Sequence, residues 1–349
     1  MGTTTPATTA ATTTATTTAA TTGAIVTEQL VRRFGDETAV DRLDLEVRDG
    51  EIYGFLGPNG AGKSTTVRML CTLLSPTSGR AVVAGADVAT QPDVVRFRIG
   101  VALQDVALDP RQTGIELLRL QGRLYGLTRH EVDRRLAELS GLIELGDALG
   151  RPIATYSGGM SRRLDLAAAL IHDPDVLFLD EPTTGLDPVS RTRVWDEVRR
   201  LNSELGVTVL LTTQYLQEAD ELAHRVGIID RGRLVAEGSP DELKRSIGDD
   251  VIVARLDGPG AGAVEQVRTL AGVSGVEMHG DEMVVTVADG AATIGRVAVT
   301  LHACGTPLRD LTLRTPTLDD VFLELTGSHI VVAEDTAGDN APADEGSPR

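Results

Sequence analysis

The segment that decides the fold runs from Ile52 to Thr65 and reads IYGFLGPNGAGKST. Its apolar beginning, Ile52 to Leu56, predicts a buried strand, and the pattern from Thr65 to Leu74 predicts a helix. A glycine-rich loop that follows a strand and opens a helix has the context of a phosphate-binding loop. Its glycines let successive backbone amides point at phosphate oxygens, and the helix N-terminus adds partial positive charge.

Each position of this loop has an expected part in holding a nucleotide. Lys63 would reach the β- and γ-phosphates, and the Ser64 hydroxyl would hold Mg²⁺. The predicted phosphate-binding set is Gly57, Pro58, Asn59, Gly60, Ala61, Gly62, Lys63, Ser64 and Thr65. The alternative is a glycine-rich turn that matches by chance. It is disfavoured because lysine occurs only at positions 63 and 244 of the chain, and one of the two stands where such a loop requires it.

A pair of carboxylates follows an apolar strand further along. Residues 176–182 read VLFLDEP, so the predicted strand delivers Asp180 and Glu181 at its C-terminal end. In a parallel sheet, that edge is where ligands bind. We expect Asp180 to complete the Mg²⁺ environment and Glu181 to polarise the water that attacks the γ-phosphate. Taken alone, the two carboxylates fit capping of the next turn equally well. Beside a phosphate-binding loop, the catalytic interpretation is favoured.

Residues 156–160 read YSGGM and precede an apolar helical pattern. Ser157 has the residue type and position of an N-cap. By itself this segment is an ordinary capping turn, so an anion-binding role for it depends on the motifs around it.

Alternating apolar strands and amphipathic helices predict a parallel α/β core. The strand candidates are Ile52–Leu56, Val176–Leu179, Val207–Thr213 and Val226–Asp230. The segment Ser239 to Glu242 predicts a capping box with Pro at the first helical position. The short helix that it starts should end near Gly248, where we place a domain boundary. The predicted nucleotide-binding domain therefore covers residues 24–248.

Residues 249–327 predict a small α+β domain in the order βαββαβ with an extra terminal helix. The expected elements are a strand at 251–256, a helix at 261–271, a hairpin at 278–287, a helix at 292–304, a strand at 308–313 and a helix at 317–325. The alternative is a set of extensions packed on the first domain. The apolar pattern of 318–325 fits core packing or a contact with a partner. The Thr/Ala-rich segment 1–23 and the acidic segment 328–349 are predicted to be disordered tails.

The acidic balance of the chain, 51 Asp+Glu against 33 Lys+Arg, gives a net charge of −18. Such a surface repels phosphate backbones, so nucleic acid is not expected as a partner. The two cysteines, Cys71 and Cys304, have no metal-like or disulfide-framework spacing, which fits a reducing cytoplasm. No apolar stretch approaches the roughly 18 residues of a membrane helix, so no membrane-spanning segment is expected.

Together these segments resemble the nucleotide-binding domains of ABC transporters. The phosphate-binding loop, Gln104, YSGGM, VLFLDEP and the turn from Gly185 to Pro188 occur in that family's order and approximate spacing over residues 25–248. The resemblance implies a RecA-like core with a β-subdomain and a helical subdomain. It also implies hydrolysis of ATP with Mg²⁺ by two domains in a head-to-tail dimer.

The resemblance further assigns roles to individual residues. Ser157, Gly158 and Gly159 would bind the γ-phosphate of ATP held by a second copy of the domain. Gln104 would sense Mg²⁺ and the attacking water while touching the permease, and Asp187 would couple the two sites. Phe34 occupies the position of the aromatic residue that stacks on adenine. Core packing is the alternative for a lone Phe.

One position departs from the family pattern. Members usually carry His after the strand at Val209–Thr213, but this chain has Gln214 there. A Gln amide can still donate to a γ-phosphate oxygen, although it cannot become a cation or relay a proton. We predict that Gln214 is a functional substitute, which completes the catalytic set Lys63, Glu181 and Gln214. The alternative is a binding or regulatory module that has lost hydrolysis.

The segments TTQYLQEAD at 212–220 and PTLDDVFLELTG at 316–327 resemble the daunorubicin-resistance subgroup of drug-exporter ATPases. The resemblance implies an ATPase subunit at the cytoplasmic face of the cell membrane, which drives transport of a drug or hydrophobic natural product through a separate permease. It favours export and a homodimer, and it leaves import and a heteromeric dimer open. The rival function is an ABC ATPase that acts on ribosomes or DNA without a permease. A single intact cassette and the acidic charge disfavour it. The transported compound stays open.

Overall fold

The computed structural model describes residues 23–102, 108–257 and 261–327. Gln104 and the segments 1–22 and 328–349, where the sequence predicts the two tails, lie outside the described residues. Within the described ranges, no helix combines the length and the hydropathy needed to cross a membrane.

The elements alternate along the chain as expected for an α/β protein. The strands are β1 (Ile25–Phe34), β2 (Glu37–Val47), β3 (Ile52–Leu56), β4 (Ser78–Val83), β5 (Ala86–Asp87), β6 (Ile99–Ala102), β7 (Val176–Asp180), β8 (Thr208–Thr213), β9 (Arg225–Asp230), β10 (Arg233–Gly238), β11 (Asp250–Leu256), β12 (Val273–His279), β13 (Glu282–Val287) and β14 (Leu308–Arg314). The helices are α1 (Lys63–Leu70), α2 (Pro92–Arg98), α3 (Gly114–Leu124), α4 (Arg129–Ile143), α5 (Gly158–Leu170), α6 (Pro188–Leu205), α7 (Leu216–Leu222), α8 (Pro240–Ile247), α9 (Ala261–Arg268), α10 (Gly290–Ala303) and α11 (Leu318–Thr326).

A central sheet carries the predicted nucleotide motifs. Its strand order is β10-β9-β3-β8-β7-β6, and β10 alone among these described strands runs antiparallel to its neighbour. Every residue of β3, β7 and β8 is buried, which is why β3 and the first four residues of β7 are continuous apolar runs. The predicted parallel α/β core is confirmed, and its strands agree with the predicted bounds to within one residue.

The two faces of this sheet are covered by different layers. On one face, Phe178 and Leu210 pack with α1 and with an antiparallel sheet of order β2-β1-β4-β5. On the other face, Leu179 and Leu211 pack with the helices α3 to α6. Successive strand residues point to opposite faces, so each buried strand serves both layers. The expected β-subdomain and helical subdomain are both present.

Three helices differ from the sequence prediction by two residues or more: the helix after the phosphate-binding loop, α9, and α10, which begins at Gly290 instead of residue 292. The helix after the phosphate-binding loop begins at Lys63, two residues earlier than predicted, and ends at Leu70 because Thr72 adopts a left-handed φ of 60°. Helix α9 ends at Arg268, before the left-handed Gly272. The predicted capping box is confirmed: the Ser239 hydroxyl accepts from the Glu242 amide, and the Glu242 carboxylate accepts from the Ser239 amide.

The C-terminal elements form a second, smaller sheet of order β12-β13-β11-β14. All its neighbouring strands are antiparallel. Ile252 and Val285 on this sheet pack against Val267 of α9 and Val297 of α10. The predicted order βαββαβ is therefore observed, while the domain boundary at Gly248 stays a prediction.

The last helix among the described residues, α11, leaves this small sheet and packs on α7 and α8. Its residues Leu318, Val321 and Phe322 are fully buried against Ala219 of α7 and Leu243 of α8. Of the two interpretations of 318–325, core packing therefore accounts for the inward side of α11. This contact holds the chain's C-terminal helix against α7, the helix that follows Gln214.

We expect Phe322→Ala to lower the free energy of unfolding by about 3–5 kcal/mol, because it leaves a cavity in a closed core. The measurement is equilibrium unfolding in denaturant. Leu325→Ala is the matched control: Leu325 is 42% exposed on the same helix, and its loss should cost less than about 1 kcal/mol. Wild-type stability of Phe322→Ala would contradict this packing.

Candidate nucleotide-binding and catalytic site

A cavity of about 450 Å³ lies at the C-terminal edge of the central sheet. It brings together residues that are far apart in the chain, because β3, β7 and β8 end at the same edge. The lining residues are Phe34, Glu37, Ala39, Pro58, Asn59, Gly60, Gly62, Lys63, Ser64, Thr65, Glu181, Thr184 and Gln214. The structure thus unites the predicted loop with Glu181, Gln214 and Phe34.

A somewhat larger cavity, of about 560 Å³, lies at the opposite edge of the sheet, before the starts of β3, β7 and β8. Three aspartates line it, Asp49, Asp173 and Asp175. Their charges repel a polyphosphate, and none of the sequence motifs reaches this cavity. Its size is therefore no reason to prefer it as the nucleotide site.

Lys63 is the cation of the phosphate-binding loop. Its side chain is buried, and Nζ donates to the carbonyls of Gly57 at 2.8 Å and Pro58 at 3.1 Å. Nζ also lies 3.8 Å from Oε1 of Glu181. Burial lowers the pKa of Lys63, and the carboxylates of Glu181 and Asp180 oppose this shift. The carbonyls of Gly57 and Pro58 and the carboxylate of Glu181 thus surround Nζ at the base of the loop.

Two glycines are required by close backbone approach. Gly62 precedes α1 with a φ of 105°, and a Cβ placed there would lie 2.4 Å from the carbonyl oxygen of Ala39. A Cβ on Gly57 would lie 2.4 Å from the carbonyl oxygen of Ile229. Both contacts are too short for any side chain, so the loop must carry glycine to fit between β2 and β9.

Asp180 and Ser64 meet as the sequence predicts. The Ser64 hydroxyl donates to Oδ1 of Asp180 at 3.2 Å, and the Thr212 hydroxyl donates to the same oxygen. Hydroxyl and carboxylate oxygens are the ligands that Mg²⁺ takes, together with substrate phosphates and water. The described residues contain no cluster of three or more His, Cys, Asp or Glu that could hold a metal by themselves. This oxygen pair fits a Mg²⁺ ion whose other ligands come from nucleotide and water.

Glu181 is held in an uncommon backbone conformation. Its φ is 48°, and its amide donates to the Thr212 carbonyl at 3.1 Å. Its Oε2 accepts from the Thr184 hydroxyl at 3.3 Å. A non-glycine residue in the left-handed region persists only where its surroundings determine it, and such residues cluster at functional sites.

Gln214 follows β8 and reaches the same cavity. The residue is only 8% exposed, and its Oε1 is buried without a hydrogen-bond partner among the described residues. The Tyr215 amide donates to the Thr213 hydroxyl at 2.8 Å, which fixes the chain just after Gln214. An acceptor oxygen that is buried without a partner is costly, so Oε1 is placed for a donor, such as a water molecule, that enters the cavity, and the NH₂ group of the same amide is left for an acceptor.

Phe34 ends β1 at the rim of the cavity. It is 47% exposed, so core packing does not account for its position. The Arg32 guanidinium lies 4.4 Å from the centre of its ring. A cation on one face leaves the other face for a planar ligand.

The remaining predicted residues lie outside this cavity. Ser157 caps α5 and accepts from the Met160 amide at 3.3 Å, which confirms the predicted N-cap. Asp187 caps α6 and accepts from the amide of Ser190 at 3.0 Å. A Cβ on Gly159 would lie 3.4 Å from the Ser190 hydroxyl, so the first turns of α5 and α6 are neighbours. Ser157, Gly158 and Asp187 are exposed.

Sequence reasoning missed three threonines. Thr212 contacts Asp180, Thr184 contacts Glu181, and Thr183 donates to Glu218 at 2.8 Å in the core. The strand register puts Thr212 opposite Asp180. Thr212 lies in the segment TTQYLQEAD, but the sequence names no partner for its hydroxyl, so only the strand register could have identified its contact with Asp180.

Two family descriptions match the chain. The one described as ABC transporter matches residues 40–184, and the one described as ATP-binding protein DrrA1-3-like, C-terminal domain, matches residues 238–326. The chain is 48% identical to the Daunorubicin/doxorubicin resistance ATP-binding protein DrrA of Streptomyces peucetius, over 92% of this chain and 97% of that protein. It is 37% identical to the Linearmycin resistance ATP-binding protein LnrL of Bacillus subtilis, over 86% of this chain and 97% of that protein.

Solved structures agree with the fold. A structure titled "Structure of ATP binding subunit of ABC transporter" matches with a TM-score of 0.58 and 28% identity, over 64% of this chain and 92% of that chain. The matched share of this chain, 64%, fits a likeness that is confined to the nucleotide-binding part of the fold. The chain belongs to the ABC transporter family, within the group of ATP-binding, ATP-hydrolysing proteins that carry a DrrA-like C-terminal domain.

Proposed function

We propose that this chain is the ATP-hydrolysing subunit of an exporter, which drives efflux of a drug or hydrophobic natural product through a separate permease. The observation that carries the proposal is the cavity that unites Lys63, Glu181 and Gln214 with the Ser64–Asp180 pair. The relatives named for drug and linearmycin resistance support the class of cargo. The compound itself is not assigned.

The residues of the cavity divide the work of hydrolysis among them. Lys63 and the loop amides bind the β- and γ-phosphates, and the ring of Phe34 stacks on adenine. Ser64 and Asp180 would hold Mg²⁺, which supplies charge neutralisation at the phosphates. Glu181 orients the attacking water and accepts its proton. Gln214 donates its side-chain amide to a γ-phosphate oxygen.

A second copy of the chain would complete the site. Ser157 and Gly159 lie at the exposed N-terminus of α5, where backbone amides suit an anion. They lie outside the cavity of their own chain, so they are available to the γ-phosphate held by a partner. In a head-to-tail homodimer, the cavity of one copy would face the α5 N-terminus of the other. Asp187, which contacts Ser190, would lie near this contact between the copies. ATP then drives closure because it binds the closed dimer better than the open one.

The proposed permease contact is an exposed apolar surface, which we name the docking patch: Leu73, Val94, Phe97 and Leu124. The Phe97 ring packs edge-on against Tyr125, with centroids 6.1 Å apart, which joins α2 to the end of α3. The Arg96 guanidinium donates to the Thr72 hydroxyl at 2.9 Å, which joins α2 to the end of α1. Contiguous exposed apolar side chains favour a protein partner. Docking there would hold the chain at the cytoplasmic face of the membrane.

We expect Glu181→Gln to lower kcat at least about 100-fold, because an amide cannot accept the proton of the attacking water. Nucleotide binding should persist, and gel filtration with ATP should show a trapped dimer. Glu197→Gln is the control, since Glu197 is a buried carboxylate of α6 that does not line the cavity. Wild-type hydrolysis by Glu181→Gln would exclude Glu181 as the base.

Gln214→Ala should lower kcat by about 100-fold, the usual effect of losing one oxyanion-type donor. Gln214→His should hydrolyse at least as fast as the wild type, because imidazole also donates to a phosphate oxygen. Steady-state ATPase assays on both variants make this comparison. Full activity of Gln214→Ala would remove Gln214 from the catalytic set.

Phe97→Asp should abolish membrane association, because it puts a charge into the docking patch. The measurement is the fraction of added chain retained by inside-out vesicles from the producing cells. Val299→Asp is the control, since Val299 is also an exposed apolar residue but lies on α10. If Phe97→Asp binds the vesicles as the wild type does, the permease docks elsewhere.

A further inference from the structure

A buried carboxylate lies behind the cavity and takes no part in the mechanism above. Glu218 is on α7, four residues after Gln214, and it is 0% exposed. Burial raises the pKa of Glu218, and hydrogen bonds from neighbouring side chains oppose this shift. A carboxyl group in such a place persists only when several contacts hold it.

The hydrogen bonds to Oε1 of Glu218 come from two other parts of the chain. Its Oε1 accepts from the Thr183 hydroxyl at 2.8 Å and from the Trp195 indole Nε1–H at 3.0 Å. Thr183 is two residues after Glu181. Trp195 is on α6, the helix that Asp187 caps. One oxygen therefore joins the segment after Glu181, the helix after Gln214 and the helix after Asp187.

A second buried side chain holds the same segment from another direction. The Arg162 Nε–H donates to the Pro182 carbonyl at 3.0 Å. Arg162 is on α5, the helix that Ser157 caps, and its side chain is buried. Pro182 and Thr183 are thus each held by a buried group immediately after Glu181. Such fixation is what the left-handed φ of Glu181 requires.

We propose that Glu218 is a positioning residue, whose bond to Thr183 fixes Glu181 relative to Gln214 and whose bond to Trp195 ties both to α6. This proposal rests on the proposed function of Glu181 and Gln214. Glu218 does not line the cavity. It acts through the segment Pro182–Thr183 on one side and through α7 on the other.

The physical reason is the strictness of in-line attack. A displacement of about 1 Å in a positioned group can cost about 100-fold in rate, while binding of the substrate elsewhere is unaffected. Loss of the Thr183–Glu218 bond should therefore lower kcat and leave nucleotide affinity in place. If the bond served stability alone, its loss would change neither kcat per folded molecule nor the response of the folded protein to nucleotide binding.

The test variant is Thr183→Val, which keeps the shape of the side chain and removes one donor. We expect kcat for ATP to fall at least about tenfold, with the Kd of a fluorescent ATP analogue within about twofold of wild type. Trp195→Phe, which removes the other donor, should also lower kcat. Glu197→Gln is the matched control, because Glu197 is a buried carboxylate of α6 that pairs with Arg163 at 3.6 Å. It should keep wild-type kcat.

The chain's single tryptophan gives a second readout at the network itself. If the bonds run as proposed, binding of Mg-ATPγS should change the emission of Trp195 in the wild type, and Thr183→Val should remove most of that change. This measurement needs no hydrolysis. A wild type that fails to hydrolyse ATP would overturn the proposed function, and the emission titration would still decide the role of Glu218.

The outcomes separate as follows. Lower kcat of Thr183→Val with unchanged Kd, beside normal Glu197→Gln, supports the positioning role. A kcat of Thr183→Val within twofold of wild type overturns it. A fall in kcat that is fully explained by a loss of folded protein, in Thr183→Val and in Trp195→Phe alike, also overturns it. If the wild type does not hydrolyse ATP, the emission of Trp195 decides. The positioning role is overturned when Mg-ATPγS leaves the emission of the wild type unchanged, or changes it equally in the wild type and in Thr183→Val.

Discussion

The parallel pairing of β3, β8 and β7 is the interaction on which the rest of the structure depends. In this register Leu56 lies opposite Thr213, and Asp180 lies opposite Thr212. The three strands therefore end at one edge, and the residues after each end face a common cavity. The backbone ladder thus brings together groups that are more than a hundred residues apart.

The charges at this edge of the sheet differ from the net charge of the whole molecule. The chain carries a net charge of −18, yet its buried cation Lys63 lies next to Glu181 and close to Asp180. A buried carboxylate is stable only when it is paired and hydrogen-bonded. Asp180 meets this need through Ser64 and Thr212. Each charge at the site is thus held by groups that a nucleotide and its cation would also use.

The layer behind the cavity links it to the rest of the fold. Glu218 on α7 and Arg162 on α5 reach the segment that follows Glu181, and α11 packs on the outer side of α7 through Phe322. The C-terminal helix therefore belongs to the same packed body as the helix after Gln214. Rigid helices joined by buried polar bonds hold a site more exactly than loops do.

The sequence by itself determined the local chemistry. Continuous apolar runs identified the buried strands, the loop at 57–65 identified the phosphate-binding turn, and Ser239 with Glu242 identified a helix start, because each signal lies within a few consecutive residues. Most of the predicted set also met around one cavity. Gly57, Ala61 and Asp180 do not line it but are chain neighbours of residues that do. Ser157, Gly158, Gly159 and Asp187 lie outside it, and Gln104 lies outside the described residues.

Only the tertiary structure decided what depends on register and packing. It put Thr212 on Asp180, buried Glu218 between Thr183 and Trp195, and seated α11 on α7 and α8. No local pattern shows these contacts, and a carboxylate at the third position of a helix is normally expected to be solvated. The physical reason is that such contacts join residues distant in sequence, whose spacing is set by strand pairing and side-chain packing rather than by any local pattern.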